Sequence, residues 1–257
     1  MQISPLRLSA LFFLLLLLPS CAKETPHRAV TTPRSLIGFK DREEPVVKYW
    51  GGMREVLREG RTEGRVGLAE VLGPHTVAVG VSAGLAAEIT VFAGEAHLAE
   101  VVDLGSVQGQ HQRAPSVGEQ ATLLVLAQVE EWSEHHLAAV PDLTSLETSV
   151  RAIAAANGID VTRPFPFRVE GVASTLRLHV LNQSCPIAKP DGPQPWRFSG
   201  EEESAVLVGF YAEDSAGSLT HHGQKTHTHA LIPGRNISGH LDAVALLSDA
   251  RVYLPAR

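Results

Sequence analysis

The sequence has 257 residues, enough for one large domain or two small ones, and its 44% hydrophobic content can supply a core. The formal net charge of −6 provides no basic footprint for nucleic acid, so we expect no nucleic-acid partner. The 22 glycines and 16 prolines favour many turns between short strands.

The N-terminal segment has the pattern of a bacterial secretory signal. A positive charge precedes an apolar run from Leu8 to Leu18, which is too short to span a membrane as a stable helix. The Leu-Pro-Ser-Cys sequence that ends at Cys21 resembles a lipobox, in which the cysteine is lipidated. We therefore expect a lipoprotein signal peptide at 1–20 and a lipid anchor on Cys21, which binds the protein to a membrane outside the cytoplasm. By analogy with bacterial lipoproteins, Ala22 rather than Asp after the cysteine favours sorting to the periplasmic side of an outer membrane. The alternative is an ordinary signal peptide with an incidental cysteine.

Residues 21–45 are polar and contain prolines without hydrophobic periodicity, which predicts a flexible tether to a folded domain at 46–257. With Cys21 acylated, only Cys185 remains, so no internal disulfide can form. Cys185 could be a buried thiol, an intermolecular bridge or a metal ligand. Burial is the commonest case and is what we expect.

The first part of the domain, at about 46–160, mixes short helices with strands. Apolar residues at 53, 56 and 57 predict a helix ended by Gly60, and a second short helix is predicted at 67–72. Helical spacing recurs over 144–157. The intervening strands are predicted at 76–81, 87–92, 97–102 and 121–129, with a loop at 103–120.

The second part, at about 161–257, is predicted to consist mainly of strands. Residues 165–171 and 175–181 have the pattern of a hairpin. A proline-rich loop at 186–195 is followed by a strand at 205–211, and short strands at 244–247 and 250–254 close the chain.

Three histidines near the C-terminus have the spacing of a metal site. His227 and His229 lie two residues apart in a predicted strand, so they share one face. A tight turn at Gly234-Arg235 would place His229 opposite His240, with roughly 5 Å between the Cβ atoms. Three imidazoles would then converge and leave a fourth position open, as in a catalytic zinc site.

Two alternatives apply to this segment. The chain has 12 histidines, and most histidines in proteins are surface residues or ordinary hydrogen-bonding residues. We expect that of five of them: His111, His135, His136, His221 and His222. Gly239 could also introduce a bulge and change the register of the hairpin.

From about Tyr49 to Leu254, the order of segments resembles bacterial α-acetolactate decarboxylase. The most specific segment is His227-x-His229, followed after ten residues by His240-Leu241-Asp242. The other segments that carry the resemblance are 64–73, 80–94, 165–171 and 205–211.

The resemblance implies zinc bound by His227, His229 and His240, conversion of 2-acetolactate to acetoin and carbon dioxide, and a homodimer. The hydroxyl and carbonyl of such a substrate can chelate an open metal, and a Lewis acid stabilises the enediolate formed as carbon dioxide leaves. The resemblance also assigns Glu88, which would deliver a proton to the enediolate. The alternative for Glu88 is a solvated strand carboxylate.

The sequence departs from the family at several positions. His179 stands where the family has the arginine that binds the substrate carboxylate. Arg177 lies two residues earlier, on the same face of the strand, and is our candidate for the missing cation, because a guanidinium can bind a carboxylate bidentately. Val81 stands at a position where the family has threonine. The family also has a second catalytic glutamate in a C-terminal extension, and we expect this chain, which stops at Arg257, to lack it.

The sequence thus predicts a β-rich α+β protein with two packed mixed or antiparallel sheets, few short helices and a zinc site on a C-terminal hairpin. The first functional hypothesis is a lipid-anchored zinc decarboxylase of 2-acetolactate or a similar 2-hydroxy-2-acyl acid. Its catalytic residues would be Glu88, Arg177 and His179. The second hypothesis is a non-catalytic zinc-binding lipoprotein that retains the fold and the histidines, and a third is an altered hydrolytic or lyase activity.

Overall fold

The computed structural model describes residues 44–257. The predicted signal peptide, Cys21 and nearly all of the predicted tether lie outside the described residues. Within 44–257, no helix is both long enough and apolar enough to cross a membrane.

The first sheet is antiparallel, with the strand order β1-β7-β3-β4-β5-β6 and β2 paired to β7. Two short helices, α1 (Met53–Leu57) and α2 (Leu68–Val71), lie between its strands in the chain. The strands are β1 (Lys48–Trp50), β2 (Val66–Gly67), β3 (Thr76–Ser82), β4 (Glu88–Phe92), β5 (Glu95–Val101), β6 (Gln110–Arg113) and β7 (Gln120–Gln128).

The second sheet is also antiparallel, with the order β11-β12-β13-β9-β14-β8 and β10 paired to β9. Strand β11 pairs with β9 as well, so β9, β11, β12 and β13 form a closed ring of pairings. The strands are β8 (Trp132–Leu137), β9 (Phe165–Val180), β10 (Trp196–Gly200), β11 (Glu203–Tyr211), β12 (Thr226–Ile232), β13 (Ile237–Leu246) and β14 (Ala250–Pro255). Helix α3 (Leu143–Ala156) begins at Asp142, whose side chain accepts a hydrogen bond from the Ser145 N–H.

The two sheets meet across an apolar layer. Val79 of β3 and Val125 of β7 are fully buried there with Val208 and Phe210 of β11. A second and larger cluster fills the space between the second sheet and α3. The β-rich architecture of two sheets with few short helices confirms the predicted fold class. Cys185 is buried, as expected.

The predicted hairpin over residues 165–181 is wrong. Strand β9 is continuous from Phe165 to Val180 because its first half pairs with β11 and its second half with β13. Gly171 does not turn the chain. A Cβ at that position would lie 2.8 Å from the Cβ of Ala250, so the glycine allows close approach of β14.

Besides the very short β1 and β2, three strands were not predicted, namely β6, β8 and β10. Strands β6 and β8 are rich in polar residues, and β10 alternates apolar and polar residues over only five positions. Each of the three pairs with only one neighbouring strand among the described residues. Strand formation in such segments depends on pairing with a distant partner more than on local propensity. Sequence patterns therefore missed them, and β10 carries a residue of the candidate site.

Candidate metal centre

The hairpin of β12 and β13 has the predicted register, with His229 opposite His240. Its connection is a 3-10 turn at Pro233–Arg235 followed by Asn236 in the left-handed conformation, rather than a two-residue turn. The longer turn leaves the register unchanged, because Ile232 still faces Ile237. Gly239 pairs with Ala230 and introduces no bulge there.

A row of aligned side chains crosses four neighbouring strands. His229 of β12 pairs with His240 of β13, His240 pairs with His179 of β9, and His179 pairs with Arg197 of β10. Directly opposed residues in a sheet project to the same face. The second sheet therefore presents three histidines and one arginine in a line, and His227 stands beside His229.

His227, His229 and His240 form a compact, buried cluster. Their ring centroids are 5.3 to 5.4 Å apart, and one nitrogen from each ring lies within 4.8 Å of those of the other two. The relative exposure of His229 is 0% and that of His240 is 6%. Three imidazoles at this separation are close enough to bind one metal ion.

The protonation and hydrogen bonding of these rings fit a metal. Burial, reinforced by nearby histidines, lowers the pKa of His229 to about 3 and those of His227 and His240 well below their usual value. Neutral imidazole is the form that ligates metals. Among the described residues, His227 Nδ1 and His229 Nε2 have no hydrogen-bond partner although both are buried. A bound cation would satisfy both nitrogens.

Two groups outside the hairpin orient these rings. The Thr90 hydroxyl of β4 lies 3.0 Å from His229 Nδ1, which leaves Nε2 directed toward the cluster. The buried Glu147 carboxylate of α3 accepts hydrogen bonds from the Thr226 N–H and hydroxyl, each at 3.0 Å, and so anchors the start of β12. The ligand strand is thus held by the first sheet and by α3.

Glu88, at the beginning of β4, faces the histidines from the first sheet. Its Oε2 lies 3.7 Å from His229 Nε2, and its Oε1 accepts a hydrogen bond from the Leu181 N–H at 3.3 Å. The residue is 3% exposed, so it is not a solvated strand carboxylate. Burial raises the pKa of Glu88 to about 7, against the opposing effect of His179.

A cavity of about 170 Å³ opens onto the cluster. Its polar lining comes from both sheets and from the loop before β12, and consists of Glu88, His179, Arg197, His221, His227 and His240. Apolar side chains, including Leu57, Val81 and Leu123, form the remaining walls. Such a cavity suits a small ligand with both an anionic group and alkyl groups.

A β-bulge at Asp242 allows its side chain to link His179 and Arg197 at the rim of the cavity. The pairing of β13 with β9 shifts between Leu241 and Ala243, so Asp242 has no partner in β9. Its carboxylate oxygens lie 2.8 Å from His179 Nδ1 and 3.2 Å from Arg197 Nη1. Bulges commonly redirect a side chain beside a functional site, and this one holds His179 and Arg197 in place.

The structure brings five of the predicted site residues together, namely Glu88, His179, His227, His229 and His240. It does not bring Arg177 to them. Arg177 shares a face with His179, but it is exposed and lines a separate open groove with Thr175 and Ser199. The guanidinium that does line the cavity belongs to Arg197, which sequence reasoning missed because β10 was not predicted.

The five histidines that we expected to lie outside the site divide into two groups. His111, His136 and His222 are exposed, and His135 is hydrogen-bonded to Ser133, which is what we expected of them. His221 differs, because its ring stands edge-on to His240 with centroids 5.0 Å apart and lines the cavity. Burial, followed by the influence of His179, lowers its pKa.

No protein-family model matches the sequence, and no curated protein is similar enough to count as a match. Solved structures do resemble the fold. Acetolactate decarboxylase from Bacillus subtilis subspecies spizizenii superimposes with a TM-score of 0.64 at 18% identity, over 82% of this chain and 86% of that one. The alpha-acetolactate decarboxylase of Bacillus subtilis strain 168 has a TM-score of 0.61 at 16% identity, with coverage of 82% and 86%.

A third similar structure is a Staphylococcus aureus protein of unknown function, described as similar to alpha-acetolactate decarboxylase. It has a TM-score of 0.60 at 12% identity and covers 80% of this chain and 84% of its own. At these identities the likeness establishes the fold alone. The chain therefore has an acetolactate decarboxylase-like fold with three buried histidines close enough to bind a metal.

Proposed function

We propose that this protein is a zinc-dependent decarboxylase that converts 2-acetolactate, or a similar 2-hydroxy-2-acyl acid, to a hydroxyketone and carbon dioxide. The observation that carries the proposal is the cluster of neutral, buried histidines with unpaired nitrogens, which lies beside Glu88 and at the wall of a cavity. The likeness of the fold to acetolactate decarboxylases supports the choice of reaction.

His227, His229 and His240 would hold the metal. Their nitrogen ligands suit zinc, which is commonly bound by three protein ligands when it is catalytic. A bound zinc ion supplies Lewis-acid stabilisation of the negative charge that develops on the substrate oxygens.

Glu88 would supply the proton that the reaction consumes. When the C–C bond to the carboxylate breaks, its electron pair remains on the substrate as an enediolate, and carbon takes up one proton. Burial raises the pKa of Glu88 to about 7 in the metal-free protein, so this carboxyl group can hold and release a proton near neutral pH. Because Oε1 accepts the Leu181 N–H, the proton belongs on Oε2, which faces the histidines.

Arg197 would bind the substrate carboxylate, the role that sequence analysis gave to Arg177. Its side chain is 62% exposed and is oriented by one contact with Asp242. A guanidinium has five N–H donors, so donors remain for a second carboxylate. The apolar walls formed by Val81, Leu123 and Leu181 exclude water around the alkyl groups of the substrate.

Acetoin production by the purified full-length chain tests this function. We expect zinc-loaded protein to form acetoin from 2-acetolactate faster than the spontaneous reaction, and Glu88→Gln to retain zinc but lose most of the turnover. Acetoin formation at only the spontaneous rate in zinc-loaded protein would refute the proposal. The chain would then be a zinc-binding protein without this activity.

We also propose that Cys21 is lipidated and anchors the protein to the periplasmic side of an outer membrane. The lipobox-like sequence before Cys21 and the polar segment after it support this localisation. Labelled palmitate should enter the wild-type chain and a Cys185→Ser control but not Cys21→Ser. Incorporation into Cys21→Ser would contradict the anchor, and membrane fractionation tests the compartment.

A homodimer is the third proposal, supported only by the family resemblance. Light scattering of the purified chain measures its mass directly. A mass near that of one 27.6 kDa chain would contradict the dimer.

A further inference from the structure

His221 belongs to the connection between β11 and β12, which is tied down on both sides of this residue. The Ala212 N–H donates to the Lys225 carbonyl at 2.8 Å and closes the connection at its base. The Arg54 N–H of α1 donates to the Gly217 carbonyl at 2.8 Å. The backbone on either side of His221 is thereby fixed, so we expect its imidazole to move by side-chain rotation.

The ring of His221 lies as close to that of His240 as the rings of the histidine cluster lie to one another. Its centroid is 5.0 Å from that of His240, compared with 5.3 to 5.4 Å within the cluster. Its nitrogens nevertheless fall outside the group of ligand atoms that are all within 4.8 Å of one another. His221 therefore lies next to the cluster of ligand atoms without belonging to it.

His221 also stands between two cavities. It lines the cavity of the metal cluster on one side, and a depression of about 180 Å³ beside α1 on the other, where Met53, Arg58 and Gly217 are its neighbours. The ring therefore has space to rotate in either direction. His221 and His222 both line the depression, but only His221 also lines the metal cavity. His222 is exposed.

We propose that His221 is an exchangeable fourth ligand, which occupies the open metal position in the substrate-free protein and withdraws toward α1 when a chelating 2-hydroxy acid binds. The inference rests on the metal site of the proposed function and not on the decarboxylation itself. Zinc favours four tetrahedral ligands, and three histidines leave one position for either an internal imidazole or an incoming ligand. Exchange would keep the metal saturated until substrate arrives.

X-ray absorption of the zinc-loaded, full-length protein tests this proposal by counting the imidazoles around the metal. We expect four in the wild type and in His222→Ala, and three in His221→Ala. The probe 2-hydroxyisobutyrate, which cannot decarboxylate in this way, should reduce the count to three in the wild type and leave His221→Ala unchanged. The cobalt-substituted proteins should show the same differences in their visible absorption spectra.

Affinity for the probe supplies a second measurement. If the open form is about a tenth of the wild-type population, His221→Ala should bind 2-hydroxyisobutyrate roughly tenfold more tightly, because no internal ligand must leave. His222→Ala should bind the probe as the wild type does.

Three imidazoles in the probe-free wild type would overturn the proposal, and this result requires no variant to fold. Four imidazoles without acetoin formation would refute the decarboxylase and support the fourth ligand. Failure of the wild type to bind zinc would overturn both.

Discussion

The inner wall and the rim of the cavity are built in different ways. The inner wall contains His227, His240 and Glu88, with His229 and Thr90 behind them. All five residues are buried, and burial keeps the three histidines neutral. The rim contains His179, Asp242 and Arg197, which are partly exposed and linked by charge-assisted contacts. A dry wall suits ligation of a metal and storage of a proton, whereas a charged rim suits recognition of an anion.

The largest expected effect follows from removing a histidine from the inner wall. His240→Ala removes one of three ligands, so we expect loss of bound zinc and of all measurable acetoin formation. Metal analysis and an acetoin assay check this result. Arg177→Ala, on the neighbouring strand but outside the cavity, is the matched control and should retain both. Stoichiometric zinc in His240→Ala that persists when His221 is also replaced by alanine would show that the cluster is not the metal site.

Replacing the buried acid separates metal binding from proton delivery. Glu88→Gln preserves the shape of the side chain, so we expect zinc content to be unchanged and kcat to fall by roughly 10²- to 10⁴-fold, the usual contribution of a general acid. Steady-state kinetics measures the change. Near wild-type kcat in this variant would remove Glu88 from the mechanism.

The same residue should alter the stability of the metal-free protein with pH. Its folded-state pKa of about 7 exceeds the ordinary value of 4.5, so the folded state holds this proton more tightly than the unfolded state does. The resulting stabilisation is fully present below pH 4.5 and is lost as pH rises through 7. Relative to Glu88→Gln, the free energy of unfolding of the metal-free wild type should therefore fall by about 3 kcal/mol between acid and neutral pH.

Urea denaturation of both chains with the metal removed measures this difference, and titration of the histidines cancels because the two chains share them. A difference between the two chains that is independent of pH would contradict the raised pKa of Glu88.

A smaller effect on activity is expected from removing the arginine at the rim. Arg197→Ala removes a hydrogen-bonding cation, at a cost of about 1.5–3 kcal/mol, or on the order of ten- to a hundredfold in kcat/KM. Zinc content should not change, since Arg197 contacts Asp242 and none of the three ligands. Kinetics with Arg177→Ala as the control tests the assignment. If kcat/KM falls in Arg177→Ala and is normal in Arg197→Ala, then Arg177 binds the substrate carboxylate, as the sequence first indicated.

The sequence by itself determined the histidine cluster, because its geometry is local. Residues two apart in a strand share a face, and a short hairpin leaves little freedom in the register, so the pairing of His229 with His240 followed from spacing. The longer turn at residues 233–236 did not alter that register. Most of the long, strongly apolar strands were also predictable, since their patterns depend little on their partners.

Only the tertiary structure decided the rest of the site. Arg197 joins it through the pairing of β10, a short strand whose sequence does not indicate its partner. Arg177 lies outside the site because strand geometry places it in the next row, over another groove. His221 enters the cavity through the fold of a long connection. The burial that raises the pKa of Glu88 comes from packing of one sheet on the other. Contacts between segments distant in sequence set each of these properties, and local periodicity carries no information about such contacts.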